Sequence, residues 1–284
     1  VGPRRPLGIA VFADEEGARF GVACAGSRII TGALAPDRAR SLADADGTTV
    51  AEAMAAAGHD PAHVGPDAET LRRVGTFVEL HVEQGRALDP GGAAVGVASA
   101  IWPHGRWRLD LRGRADHAGT TRLEDRDDPM LRLAEAVTAA RRAAGEHDAL
   151  ATIGKVAVEP GGVNAIPSRV TAWLDARGPV ERDVRSVVAA VGEAAGGEPE
   201  EESWTGPTAF DGGLRDRLAG LLAAPVLPTG AGHDAGILSA AGIPTAMLFV
   251  RNPTGVSHSP QEHADPGDCH RGVEALARVV EELG

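Results

Sequence analysis

Leu7-Gly8-Ile9-Ala10-Val11-Phe12-Ala13-Asp14-Glu15-Glu16-Gly17 carries the first decision about the fold. Its near-continuous apolar run, residues 7–12, predicts a strand buried on both faces of an α/β sheet. The run delivers two adjacent carboxylates to its end. Adjacent carboxylates repel, and burying them together is costly unless a cation compensates. Glu15-Glu16 therefore points to a metal, with one Glu as ligand and the other as general base; on the doublet alone, a solvated acidic turn is the plain alternative.

Outward from this stretch, residues 27–34 and 49–57 read as short helices, the second preceded by the turn Asp46-Gly47. Residues 74–82 and 94–102 read as two more strands. After Pro103-His104-Gly105 the pattern changes. Residues 107–112 alternate apolar and polar, and Asp128-Pro129 opens a helix to about residue 144, with Asp128 as N-cap and Pro129 in the first turn. Strands at 151–158 and 169–176, separated by the turn Pro160-Gly161-Gly162, lead to a helix at 181–195 and a last strand at 200–204. The β-α-β-β-α-β order is the ferredoxin-like pattern and predicts a domain inserted at 103–206. From Asp211 the first pattern resumes with a helix at 214–222, a loop at 229–234, a short helix, a strand at 244–250 and a closing helix at 272–283. The fold class is α/β, with two domains: residues 1–102 and 207–284 as two parts of one, and 103–206 as the insert.

Histidines and carboxylates recur in the loops after the apolar strands. In Glu79-Leu80-His81-Val82-Glu83-Gln84-Gly85, period-2 alternation places His81 on one face with Glu79 and Glu83. His258 lies between Ser257 and Ser259, in a loop rich in Gly and Pro. Neutral imidazoles and carboxylates, with one spare carboxylate to accept a proton, are the needs of a hydrolytic metal centre. A lone His at such positions is also a common hydrogen-bonded or surface residue. In the insert, His117 could donate to a developing oxyanion, and Arg177 with Asn164 forms a usual pair for holding a substrate carboxylate. Gly230-Ala231-Gly232-His233-Asp234-Ala235 is a Gly-rich turn with a His-Asp pair, too short and without the Lys of a phosphate loop, so nucleotide binding is rejected.

Composition excludes several classes. A formal charge of -12 gives no footprint for nucleic acid or an anionic membrane surface, and polyanionic partners are not expected. No apolar run approaches the roughly 20 residues of a membrane span. Cys24 and Cys269 lack metal-type spacing and fit a reducing compartment, which predicts a cytoplasmic protein.

The motifs also resemble, in order, those of a known family. Asp14-Glu15-Glu16-Gly17-Ala18-Arg19-Phe20, Glu79-Leu80-His81-Val82-Glu83-Gln84-Gly85, His117-Ala118-Gly119-Thr120-Thr121, Asn164-Ala165-Ile166-Pro167, Asp175-Ala176-Arg177, Gly230-Ala231-Gly232-His233-Asp234-Ala235 and Ser257-His258-Ser259-Pro260 span nearly the whole chain. They resemble the amidase/carbamoylase branch of the two-metal aminoacylase and carboxypeptidase-type hydrolases. That branch contains allantoate amidohydrolases, N-carbamoyl-L-amino acid hydrolases and β-ureidopropionases. The resemblance implies a partial catalytic α/β domain with an inserted lid and dimerisation domain. It implies two divalent ions, zinc or manganese, Glu15 as general base, and Glu16, His81 and His258 as ligands. It assigns Gln84, Asn164, Arg177 and His233 to the substrate, a small ureido carboxylate, and His117 to the oxyanion. It further implies a homodimer in which residues matching His117, Asn164 and Arg177 reach the partner's site.

Two departures follow. The family's Gly-Ser-His-x-Asp segment and bridging Asp, expected upstream of Val1, are absent, so the chain reads as an N-terminally truncated piece that should bind metal poorly. The stretch 192–202 is shorter than the family's helix-to-strand connection. Residues 101–107 and Arg251-Asn252-Pro253 resemble allantoate-cleaving sequences, which puts allantoate first as substrate, with an N-carbamoyl-L-amino acid or β-ureidopropionate as the alternative. A noncatalytic binding or dimerisation protein is the competing reading from another class.

Overall fold

A computed structural model describes residues 5–284. The chain forms two compact units, one built from the chain up to Ile101 together with Thr208–Gly284, the other from Trp102–Pro207.

The first unit is organised by a mixed sheet. Its strand order is Phe77–Val82, Thr245–Val250, Val95–Ile101, Val226–Thr229, and Thr208–Ala209 pairs with the end of Val95–Ile101. Phe77–Val82 runs parallel to Thr245–Val250, and Val95–Ile101 runs antiparallel to it. All six residues of Thr245–Val250 are buried, as its unbroken apolar sequence requires of a strand covered on both faces. Met247 and Phe249 point into one cluster, with Ala98, Ile101, Phe210 and Ala235. Ala246 and Leu248 point into the other, with Val97, Leu218, Ala275 and Val279. The short helices expected at 27–34 and 49–57 are Ala25–Thr31 and Val50–Ala56, the latter closed by a capping box between Thr49 and Glu52.

Two expectations are corrected here. Residues 7–12 form no strand, and Leu7, Ile9 and Val11 are 60%, 89% and 91% exposed. A strand exists through its ladder, and no strand pairs with this run among the described residues. The closing helix is Pro266–Leu283, six residues longer at its start than expected, because Pro266 occupies the first turn, where its missing N–H costs nothing.

In the second unit the elements follow as strand His104–Arg112, helix Pro129–Glu146, strands Leu150–Glu159 and Arg169–Arg177, helix Glu181–Ala195 and strand Glu200–Thr205. The sheet order is 150–159, 169–177, 104–112, 200–205, with every neighbouring pair antiparallel. Alternation in 104–112 turns Trp107, Leu109 and Leu111 into the core and leaves Arg106, Asp110 and Arg112 outside it. There the apolar residues meet Val170, Ala172 and Leu174 of the next strand, with Leu133, Ala136 and Ala140 of one helix and Val184, Val188 and Val191 of the other. The Asp128 side chain accepts the Met130 N–H, capping the helix that Pro129 opens.

Leu174→Ala removes a fully buried side chain from this core and should lower the unfolding free energy by about 2–5 kcal/mol. Val156→Ala, at an exposed position on the neighbouring strand, should stay within about 0.5 kcal/mol. Urea denaturation of the whole chain compares the two.

Candidate metal centre

Glu79 and His81 lie two residues apart on the Phe77–Val82 strand and so share a face. Their ladder partners are Met247 and Phe249, which places them on the side of the sheet where Ala235 and the helix Asp234–Ala240 pack. His233 is the N-cap residue of that helix. Glu15 comes from a tight turn whose shape is set locally. The Asp14 carboxylate accepts the N–H groups of Arg19 and Phe20, and the Glu15 carbonyl accepts the Cys24 N–H. Gly17 holds φ at +66°, and a Cβ there would lie 2.5 Å from the Ala23 nitrogen, so the turn admits only glycine.

These three elements bring Glu15, His81 and His233 together, each offering one ligand atom within 4.8 Å of the others. The two imidazoles meet edge to face with centroids 4.6 Å apart. His81 Nδ1 lies 2.7 Å from the Val82 carbonyl oxygen, which accepts only, so Nδ1 carries the proton and Nε2 is left open. His233 is 1% exposed, and neither ring nitrogen has a hydrogen-bond partner among the described residues. Around the group, the Asp234 carboxylate accepts the Ser27 hydroxyl at 2.5 Å, and the Glu79 carboxylate accepts the Ala235 N–H at 2.7 Å.

Burial dominates the electrostatics. It pushes Glu79 up to about 7 and His233 down to about 3, His81 adding to the second shift. Glu15 is raised by burial, then by its neighbours Glu16 and Asp234; Asp234 is raised by burial as well. Carboxylates pressed toward neutrality beside an imidazole, His233, kept neutral are a poor set of partners for one another and a good one for a divalent cation. Two imidazoles and a carboxylate suit zinc or manganese, and the lone-pair nitrogen of buried His233, unpartnered among the described residues, is what such an ion would satisfy. The residues fit a metal.

The other sequence-predicted residues fall elsewhere. Glu16 and His258 pair with each other, Oε2 to Nε2 at 3.2 Å, both more than half exposed and outside the triad. The loop before His258 is organised by buried Asn252, whose carbonyl accepts from the Thr254 N–H and hydroxyl and the Gly255 N–H, while its amide donates to the Val256 carbonyl. Gln84 follows the Phe77–Val82 strand; its neighbour Glu83 is buried and accepts the Ala87 and Leu88 N–H groups, a structural cap. In the second unit, Asp116–His117 pairs with Ala165–Ile166, and the Ala118 N–H reaches the Asn164 carbonyl, so His117 and Asn164 lie together. Arg177 lies at the opposite end of the sheet, eight residues or about 26 Å along the strand from Arg169, with its guanidinium on Asp175. Within one unit the three do not converge. Sequence reasoning gave His233 to the substrate, whereas the structure groups it with Glu15 and His81. It passed over Glu79 and Asp234, although Glu79 was on the right face of its strand and Asp234 next to His233.

The comparisons with known proteins agree with this chemistry. Residues 1–282 match the model of Peptidase family M20/M25/M40. The chain is 36% identical to an N-carbamoyl-L-amino acid amidohydrolase of Geobacillus stearothermophilus, covering 98% of this chain and 71% of that protein. It is 33% identical to an allantoate amidohydrolase of Escherichia coli K12, covering 99% of this chain and 72% of that protein. Among solved structures, AtUAH in complex with glyoxylate superposes with a TM-score of 0.82 at 26% identity, over 96% of this chain and 70% of that one. A hydantoinase/carbamoylase family amidase from Burkholderia vietnamiensis gives 0.81 at 26% identity, over 96% and 69%.

An unfolded histidine takes its proton near 6.5, and folded His233 only near 3. Between these values the unfolded state binds more protons, so stability falls as the pH is lowered through the window. Glu79, raised from 4.5 to about 7, acts in the opposite sense over its own range but is common to wild type and a His233 variant. His233→Gln should therefore lose a component of acid sensitivity of up to about 1.4 kcal/mol per pH unit. Urea titrations of both metal-free proteins measure it; parallel curves would show that His233 titrates as an ordinary histidine.

Proposed function

The chain belongs to Peptidase family M20/M25/M40, in its amidase/carbamoylase branch, and from that membership we propose that it cleaves the ureido C–N bond of a small carboxylate, with allantoate first among the substrates. The observation that carries the reading is buried His233, its ring nitrogens unpartnered among the described residues, beside His81 and Glu15. His81 and His233 would hold one divalent ion, zinc or manganese, with Glu15 beside it as the base, and the exposed pair Glu16 and His258 would contribute to a second. When bound, such ions supply Lewis acidity toward the ureido carbonyl and acidify water.

The chain's own residues do the rest. Glu15, already raised by burial and by Glu16, takes the proton from the attacking water and returns it to the leaving nitrogen as the C–N bond breaks. Nitrogen leaves as ammonia, and the carbamate left behind loses carbon dioxide. Gln84 orients the ureido group. In the insert, His117 donates to the carbonyl oxygen as it gains charge, while Asn164 and Arg177 bind the substrate carboxylate. Because Arg177 lies about 26 Å from the His117 and Asn164 end of the insert's sheet, one chain cannot bring all three to one carboxylate, which favours a homodimer through the insert in which each site draws on two chains. The β-α-β-β-α-β order and antiparallel sheet of Trp102–Pro207 support a ferredoxin-like lid in that role. The free thiols Cys24 and Cys269 support a cytoplasmic location, and no helix of the described residues is long and apolar enough to cross a membrane. The 36% identity to an N-carbamoyl-L-amino acid amidohydrolase favours an N-carbamoyl-L-amino acid as the second reading of the substrate.

Ammonia release from allantoate, N-carbamoyl-L-amino acids and β-ureidopropionate, in the presence of zinc or manganese, tests the proposal. Activity should fall by about 100- to 10,000-fold in Glu15→Gln. Release from N-carbamoyl-L-amino acids alone would move the substrate to the second reading, and no release from any of the three by protein shown to hold zinc or manganese would reject the ureido hydrolase.

A further inference from the structure

We infer that Gly119 sets the tautomer of His117: its N–H occupies Nδ1, so the ring proton sits on Nε2 and His117 is a hydrogen-bond donor while neutral. Gly119 acts through His117, which makes it a positioning residue. The inference deepens the reading of His117 as the group that meets the developing oxyanion, and rests on that reading for its consequence, though not for its test. Every residue it uses belongs to the Trp102–Pro207 unit, and none is a proposed metal ligand.

The Gly119 N–H donates to His117 Nδ1 at 3.0 Å. A backbone amide nitrogen only donates, so Nδ1 must offer its lone pair, and in the neutral ring the hydrogen is then on Nε2. The opposite tautomer would set two N–H groups against each other. Residue 119 also has to be small. A Cβ there would lie 3.2 Å from His117 Cε1 and 3.5 Å from Nδ1, so a side chain would press on the ring that the amide holds. The imidazole is exposed, so the turn, and not a packed core, has to orient it.

That turn is tied at both ends. Asp116 Oδ1 accepts the His117 N–H at 2.8 Å, and the His117 carbonyl accepts the Thr121 hydroxyl at 2.8 Å and the Thr121 N–H at 3.1 Å. The Arg126 guanidinium donates to the Ala118 carbonyl at 2.7 Å and to the Thr121 carbonyl at 3.1 and 3.2 Å. The Ala118 N–H reaches the Asn164 carbonyl at 2.9 Å, which joins the turn to the pairing of Asp116–His117 with Ala165–Ile166. These bonds fix the Gly119 amide where it faces the ring. A donor oriented before charge develops is what an oxyanion needs, and a neutral imidazole supplies one without first taking up a proton.

The experiment uses the full chain labelled with ¹⁵N, metal-free at about pH 8.5, above the range in which imidazoles usually titrate. Two-bond ¹H–¹⁵N correlations should show His117 as a single Nε2–H tautomer, and a coupling across the hydrogen bond should link the Gly119 amide nitrogen to Nδ1. An Nδ1–H tautomer, the averaged shifts of a ring that exchanges between both, or a missing coupling overturns the proposal. Gly119→Pro removes the N–H. Its circular dichroism should match wild type, while the coupling disappears and His117 averages between tautomers. A single Nε2–H tautomer in the folded variant overturns the assignment, and if the variant fails to fold, the wild-type spectrum decides alone. Wild type that shows the bond, holds zinc or manganese and still releases no ammonia from the ureido substrates would reject the proposed reaction and leave the assignment of Gly119 standing.

Discussion

Six parallel ladder positions, from Phe77 opposite Thr245 to Val82 opposite Val250, hold the candidate site in place. The Thr245–Val250 strand is buried throughout and divides its side chains between two apolar clusters. A slip of one residue would send Met247 and Phe249 into the wrong cluster, so packing specifies the register strongly. The Phe77–Val82 strand takes its register from that partner. Glu79 and His81 are thereby fixed on the face where Phe249 lies 6.4 Å from the His233 ring. Side chains with no polar chemistry determine where the polar ones converge.

The convergence works against stability. Glu79, Glu15 and Asp234 are all raised, and His233 is lowered, with burial the first cause in each case. Groups perturbed together by desolvation mark a site built for a ligand more often than one built for the fold. What keeps the cluster assembled is a set of hydrogen bonds around it. Ser27 on Asp234 joins the Ala25–Thr31 helix to the Asp234–Ala240 helix, and Glu79 on Ala235 joins that second helix to the sheet.

The Trp102–Pro207 unit obeys simpler rules. One face of its sheet carries the core, and residues turned away from it are charged and paired with one another: Asp110 with Arg169, Arg108 with Glu200, Arg177 with Asp175. Exposed pairs of this kind contribute little to stability. The core does the stabilising, and its pattern is local, which is why the element order of this unit was readable from alternation, Gly-Pro turns and the Asp128-Pro129 start.

Sequence by itself determined the elements whose signals are local. The buried run at 245–250, the alternation at 104–112, the Asp128 cap and the histidine-carboxylate spacing at Glu79 and His81 all depend on neighbours in the chain, and each took its expected form. Order of motifs also sufficed to name the branch of the family. Only tertiary structure decided the rest. Residues 7–12 have strand-like sequence but no ladder partner among the described residues, and pairing is not a property of one segment. His233 belongs with Glu15 and His81 because three distant segments pack at one place, whereas Glu16, adjacent to Glu15, pairs with His258 beside it. Burial, which sets the protonation of Glu79 and His233, is created by residues hundreds of positions apart, and no spacing within the chain encodes it.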